Sequence, residues 1–328
     1  MERRRAHSSP GTALSADERI CDIPYGRGEQ RGPPDLVRTR RPGLHVCGGH
    51  LRLQQGSEQR SAPEGVTGVL DSVLKATGAY KFYESRLNSE VERGPIPGHI
   101  GIILDGNRRW AQNRSYSVEL GHAYGADVVE KLLDWCHELK IRSITLYVLS
   151  TENFQRSSEE VQEIVRLIQE RLTKLLKDER IYKYRVHVKG IGKFELLPEP
   201  LLKILREVEE KTADYDGHFL NIAIAYGGRT EITDVMRSIA EDVKKGTLQP
   251  SSITEETISG RLYTSYLPNP EPDLIIRTSG EERMSGFLLW QGAYSELIFM
   301  DVYWPAFRKI DLLRAIRTYQ KRQRRMGK

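Results

Sequence analysis

One stretch of the sequence ends an apolar run abruptly in charge: His99-Ile100-Gly101-Ile102-Ile103-Leu104 leads straight into Asp105-Gly106-Asn107-Arg108-Arg109. A carboxylate, a glycine and two guanidiniums in five residues suit an anion site with a hard cation beside it. Guanidinium forks match phosphate oxygens, and glycine lets backbone N–H groups come close to an anion. Four later stretches have the same form, an apolar run closing on polar residues. They are Ser150-Thr151-Glu152-Asn153, Gly190-Ile191-Gly192-Lys193, Tyr226-Gly227-Gly228-Arg229 and Arg277-Thr278-Ser279-Gly280-Glu281. The ligand they imply is polyanionic, one or more phosphates or diphosphates. Asp105 among arginines reads as a Mg²⁺ ligand, because that ion takes one or two carboxylates plus substrate phosphates.

The common nucleotide signatures are missing. No GxxxxGK[ST] occurs, and Gly190-Ile191-Gly192-Lys193 is followed by Phe194 where a hydroxyl would be needed. No GxGxxG follows a strand. Cys21, Cys47 and Cys136 form no CxxC pair, which argues against a disulfide framework or a zinc site and suits a reducing compartment. His99 opens an expected strand and His187 lies inside one, so both read as structural.

The elements that must position these residues follow from periodicity. Short apolar runs at 99–104, 143–149, 184–189, 219–225, 273–277 and 296–300 read as strands. Helical patterns at about 119–140, 157–178, 197–214, 229–245, 253–261 and 309–325 separate or follow them. Strands alternating with helices imply right-handed crossovers. The expected fold is α/β, a mostly parallel six-stranded sheet flanked by helices, over residues 95–328. Ligands of such sheets bind beyond the carboxyl ends of the strands, where the five polar stretches fall.

Residues 1–65 differ in kind. They contain eleven arginines and no lysine, with many Gly, Pro and Ser and no sustained apolar period. Such a segment buries too little surface to offset its ordering entropy, so it is expected to be a disordered extension dispensable for activity, or sequence upstream of a misassigned start. It has no apolar core of a secretory signal, and its acids Asp17, Glu18, Asp22 and Glu29 do not suit a transit peptide. Residues 66–94 read as an amphipathic helix and linker. It could pack on the domain, meet a membrane surface or touch an apolar substrate tail. The net charge of +5 in 328 residues is mild, which speaks against a nucleic-acid partner. No 18-residue apolar run suggests a membrane span, so a cytoplasmic protein, possible at the membrane periphery, is expected.

Together "HIGIILDGNRRWA", "GHAYGA", "LYVLSTENFQRS", "NIAIAYGGR" and "DLIIRTSGEERMSGFLLWQGAYSELIF" resemble the cis-prenyltransferases, the undecaprenyl and dehydrodolichyl diphosphate synthases, over roughly residues 92–328. The lead-in "GPIPGHIGIILDGNRRWA" is more similar to archaeal and eukaryotic members than to bacterial ones. The resemblance implies an enzyme that adds isopentenyl diphosphate repeatedly, in cis, to an allylic starter, farnesyl or geranylgeranyl diphosphate. The product would be a polyprenyl diphosphate for a lipid glycosyl carrier. It further implies Mg²⁺, a homodimer, an apolar tunnel for the growing chain and transient membrane contact for product release.

By motif position, the resemblance makes Asp105 the essential aspartate and metal ligand. Gly106, Asn107, Arg108, Arg109 and Trp110 surround the starter diphosphate, with His122. Ser150, Thr151, Glu152, Asn153, Phe154 and Arg156 stand beside the reacting isopentenyl group, Asn153 in a catalytic place. Arg277, Arg283 and Ser285 hold the isopentenyl diphosphate. Glu296 matches a metal-associated glutamate near the dimer interface. Arg325 and Gly327 fit the RxG signature that reaches across the dimer. One position departs: many members carry an arginine where this chain has Val118, and Arg108 or Arg114 is the candidate replacement. The proton acceptor stays open among Asp105, His122, an Asn153-held water and phosphate oxygen. Helical faces carrying Val128, Val129, Leu132, Leu133, Cys136 and Leu139, and Val161, Ile164, Val165, Ile168, Leu172 and Leu175, could line the tunnel or simply pack. Two rival readings are a non-catalytic subunit of a heteromeric enzyme and a phosphate- or nucleic-acid-binding protein. The retained Asp105, Arg109, Arg277 and Arg283 favour an active homodimer.

Overall fold

The computed structural model describes residues 79–322. The expected tail at 1–65, the first part of the 66–94 segment, Arg325 and Gly327 lie outside the described residues.

Six strands form one sheet: β1 (His99–Ile103), β2 (Ser143–Ser150), β3 (Val186–Ile191), β4 (His218–Tyr226), β5 (Leu274–Arg277) and β6 (Glu296–Phe299). Their order is β3-β4-β2-β1-β5-β6, and every pairing is parallel. The chain runs from β1 to β2, on to the edge strand β3 and back to β4 between them, and then crosses to β5 on the other side of β1. Between β1 and β5 the order reverses, which opens a crevice at the carboxyl ends of those strands.

Both faces are covered, so the strands read as near-continuous apolar runs. One core joins Ile100, Ile102, Leu274 and Ile276 to five helices: α1 (Ala79–Glu92), α3 (Val118–Glu138), α4 (Ser158–Leu175), α6 (Glu199–Thr212) and α9 (Lys309–Lys321). Facing the other way, Ile103, Tyr147 and Ile275 pack with Phe287 and Leu288. Helix α7 (Gly228–Lys245) seats Val235 and Ile239 on Leu262. A buried polar chain runs across the sheet. The His99 ring contacts Thr145 Oγ1 at 2.8 Å, Asn221 Nδ2 donates to the same oxygen at 2.9 Å, and the Tyr266 hydroxyl donates to Asn221.

The structure shifts some expected boundaries. Residues 184–185 do not belong to β3, because Asp178 caps a short helix, α5 (Glu179–Lys183), that ends on Tyr184, and Arg185 has a φ of 50°. That same cap ends α4 at Leu175, short of the expected 178. The expected helix at 253–261 is reduced to α8 (Glu255–Ser259). A helix absent from the sequence reading, α2 (Asn107–Gln112), starts directly after β1.

Candidate active site

Gly106 makes the turn from β1 into α2 with φ 103°, a left-handed conformation. A Cβ there would stand 2.7 Å from the Tyr303 ring and 3.1 Å from the Ser279 Cβ. Helix α2 then packs on α3 at Gly125, where a Cβ would meet Asn107 Oδ1 at 2.2 Å. This close approach explains why "GHAYGA" follows α2. It holds Asn107 and the arginines at the end of the strand. Ser117 caps α3, accepting from the Leu120 N–H. Ser157 caps α4, accepting from the Glu160 N–H. Both helices thereby begin beside the carboxyl ends of β1 and β2.

There a cavity of about 970 Å³ opens. Its polar mouth is lined by Asp105, Gly106, Asn107, Arg108, Arg109, His122, Ser150, Glu152, Asn153, Arg156, Arg277, Arg283 and Ser285, all named from the sequence. Arg277 Nη2 donates to Asp105 Oδ2 at 2.7 Å, and Arg109 Nη2 lies 3.4 Å from Asp105 Oδ1. Arg277 Nη1 donates to Ser285 Oγ at 2.7 Å, so one buried guanidinium joins the first polar stretch to the last. Burial pushes the Asp105 carboxyl up. Hydrogen bonds and charge from Arg277, with Ser279 and Arg109, outweigh that and hold it below the usual carboxylate range. Ser150 and Asn153 cap each other, Asn153 Oδ1 accepting from the Ser150 N–H at 3.0 Å and Ser150 Oγ from the Asn153 N–H at 3.2 Å.

Several expected positions fall elsewhere. Trp110 is buried against Tyr116 and Tyr124, with centroids 5.9 and 5.0 Å away, and does not line the cavity. Arg114 stacks on Trp110 at 4.6 Å and is likewise absent from the lining, whereas Arg108 is present. Thr151 turns away beside Gly227, and Phe154 packs on the main core. Glu296 stands in register with Leu274 and Ile100, at the opposite end of the sheet from Asp105, and pairs with Arg322 at 3.0 Å. The third and fourth polar stretches do not reach the site either. Lys193 pairs with Asp234 at 2.7 Å, and the Gly228 N–H is taken by the Gly286 carbonyl at 2.7 Å. No residue of either stretch is among those lining the cavity, although Ile222 in the middle of β4 is. Of the five strand ends, three build the mouth.

Sequence reasoning missed three acceptors. Ser279 Oγ accepts from Arg109 at 2.7 Å. Glu281 pairs with Arg109 at 2.9 Å and with Arg283. Glu160 lies 2.8 Å from Arg156, 3.5 Å from Arg108 and 3.8 Å from His122. Burial lowers the His122 pKa more than Glu160 raises it, so the ring is held below its ordinary value. Glu281 was visible inside the fifth polar stretch, and Glu160 by its i+4 spacing from Arg156. Nothing in the sequence tied either to a neighbour from another element.

Below the mouth the cavity turns apolar between α3, α4 and the sheet. Val129, Leu133, Ile164, Ile168, Leu172 and Leu175 line it, as do Leu146 and Ile222. Val128, Leu132, Cys136, Leu139, Val161 and Val165 do not line it, and Val128, Leu132, Cys136, Leu139 and Val165 are buried in the core.

Fold and site define an α/β protein with an arginine-rich anion site opening on an apolar pocket. The chain belongs to the prenyltransferase family of undecaprenyl diphosphate synthase, whose model matches residues 103–327. It is 51% identical over 249 residues to the tritrans,polycis-undecaprenyl-diphosphate synthase (geranylgeranyl-diphosphate specific) of Methanopyrus kandleri, covering 76% of this chain and 91% of that one. It is 52% identical over 250 residues to the enzyme of the same name from Thermoplasma acidophilum, covering 76% and 96%. Among solved structures, it is similar to lavandulyl diphosphate synthase from Lavandula x intermedia in complex with dimethylallyl diphosphate, with a TM-score of 0.69 and 35% identity. That match covers 71% of this chain and 99% of the other.

Proposed function

We propose that this protein condenses isopentenyl diphosphate repeatedly, in cis, onto an allylic diphosphate, with geranylgeranyl diphosphate as starter. The starter follows the geranylgeranyl-diphosphate specificity of the Methanopyrus kandleri and Thermoplasma acidophilum relatives. The observation that carries the reading is the continuity of one cavity from an arginine mouth to an apolar interior. A diphosphate with an isoprenoid tail has that same polarity along its length.

In this reading Asn107, Arg108 and Arg109 hold the starter diphosphate, and Arg277, Arg283 and Ser285 hold the isopentenyl diphosphate. Arg108, at the mouth, supplies the charge that Val118 lacks. The carbon–oxygen bond of the starter breaks and diphosphate leaves with the electron pair. The isopentenyl double bond attacks the allylic cation, forming the new carbon–carbon bond, and a proton is lost. The leaving diphosphate gathers charge, and guanidiniums already in place stabilise it without reorganising. Two anionic substrates repel each other, which accounts for two arginine clusters.

The donor set fits Mg²⁺. Asp105 is an ionised carboxylate on the cavity wall, and Mg²⁺ is ordinarily held by one or two carboxylates with the rest of its shell from phosphates and water. When bound, the ion would neutralise charge on the departing diphosphate. Glu296 is remote from Asp105 within one chain, so any metal role for it belongs to an assembled homodimer, which we also propose, together with peripheral contact with a membrane to release the lipid.

The test is incubation of the purified protein with labelled isopentenyl diphosphate, Mg²⁺ and starters of different length. Butanol-extractable polyprenyl product, fastest from geranylgeranyl diphosphate, is expected. No product from any starter would overturn the reading.

A further inference from the structure

The loop at 283–292 that carries Arg283 and Ser285 has an unusual backbone. Ser285 has a φ of 47°, Gly286 of 75° and Leu288 of 43°, all left-handed. A side chain is strained there, and a bulky leucine more than most. Such a conformation persists only where the surroundings impose it. Here two strands and a helix do so. The Tyr147 hydroxyl on β2 donates to the Ser285 carbonyl at 3.2 Å and to the Tyr226 carbonyl of β4 at 3.3 Å. Phe287 is fully buried and stacks on the Tyr147 ring, with centroids 4.8 Å apart. Gly228, the first residue of α7, donates its N–H to the Gly286 carbonyl at 2.7 Å.

Behind the loop lies a carboxyl that the chemistry above does not use. Glu231, in the first turn of α7, is 1% exposed. Its Oε1 accepts from the Gln291 amide at 3.0 Å and from the Tyr263 N–H at 2.7 Å, and its Oε2 accepts from the Tyr226 hydroxyl. A buried carboxyl is costly unless its oxygens are satisfied, and donors from three separate segments satisfy this one. The bond with Gln291 ties the far end of the loop to α7, as the Gly228–Gly286 bond ties its middle.

We propose that Glu231 is a positioning residue for isopentenyl diphosphate: through Gln291 and Tyr226 it holds the 283–292 loop in the strained form that presents Arg283 and Ser285. The proposal rests on the synthase reading above. Asn107, Arg108 and Arg109, assigned to the starter, stand on α2 after β1 and make no bond to this carboxyl. Loosening the loop therefore weakens one substrate and spares the other. It lets Ser285 relax out of the left-handed region and draws its hydroxyl off Arg277.

The experiment compares steady-state kinetics and thermal unfolding of wild type, Glu231→Gln and the swapped Glu231→Gln/Gln291→Glu. The single change keeps the shape but turns an amide N–H toward groups that are themselves donors. It should raise KM for isopentenyl diphosphate about tenfold, the loss of one or two buried hydrogen bonds, and leave the starter's KM within about twofold. The swap restores a donor facing an acceptor and should recover most of that loss. A purely structural role would lower Tm and kcat with both KM values unchanged, and that result overturns the proposal. So does an equal rise in both KM values, or a swapped variant no better than the single one. If either variant fails to fold, Gln291→Met, which removes only the loop's own arm, decides by the same split. An unchanged isopentenyl diphosphate KM in it overturns the proposal. Absence of product from wild type would instead overturn the synthase reading, which separates the two.

Discussion

Arg277 Nη2 and Asp105 Oδ2 lie 2.7 Å apart at the point where the strand order reverses, and the same guanidinium holds Ser285 at 2.7 Å. Under the proposed function the pair would span the two half-sites, and it ties the end of β1 to the end of β5. Arg277 is almost fully buried, and removing its carboxylate leaves an uncompensated charge. Asp105→Ala should therefore lower kcat by on the order of 10³. It should also cost roughly 3 kcal/mol of stability. Steady-state kinetics and urea unfolding measure both. Near-normal turnover would remove Asp105 from the chemistry.

Arg283 is more exposed than Arg277 and answers to Glu281. Arg283→Ala should raise KM for isopentenyl diphosphate about tenfold, the loss of one charge-assisted hydrogen bond, and leave the starter's KM close to wild type. Equal changes in both KM values would contradict its assignment to one half-site.

Glu160 occupies the middle of Arg108, Arg156 and His122. An incoming diphosphate must compete with that carboxylate. Glu160→Gln should tighten binding of inorganic diphosphate by a factor of about five, on the scale of a partly exposed ion pair. It should also lower the His122 pKa further, since Glu160 raises it. Calorimetry and imidazole NMR read the two effects. Weaker diphosphate binding would show that Glu160 orders the arginines rather than occupying them.

His99 is buried at the start of β1, and burial depresses its pKa to about 4 from an ordinary 6.5. The native state then binds fewer protons than the unfolded state as pH falls. Stability is present above pH 6.5 and is lost progressively down to pH 4. At about 1.4 kcal/mol per unit the loss is on the order of 3 kcal/mol. Denaturant midpoints at pH 7 and pH 4.5 should differ less in His99→Gln than in wild type. Parallel pH profiles would reject this account.

Gly106→Ala forces a side chain into a left-handed turn against Tyr303. It should cost about 1–3 kcal/mol of stability and displace α2, lowering activity with it. A variant with wild-type melting temperature and kcat would show that the turn relaxes freely.

The sequence by itself determined the sheet, because period and apolar runs are local properties of the chain. It also marked which residue types stand at each strand end, so the arginines of the cavity mouth, Arg108, Arg109, Arg156, Arg277 and Arg283, were legible in it, whereas Arg171 and Arg180 deeper in the lining were not. Strand order is not local. It placed the ends of β1, β2 and β5 together and left Lys193 and Arg229 outside, although all five stretches look alike in sequence. Trp110 and Phe154 share motifs with site residues, yet helix geometry turns them into the core. The pairings of Glu160 with Arg108 and of Glu281 with Arg109 were silent because each belongs to two segments at once. Only packing, which brings distant segments to within a few ångströms, decides which charges meet.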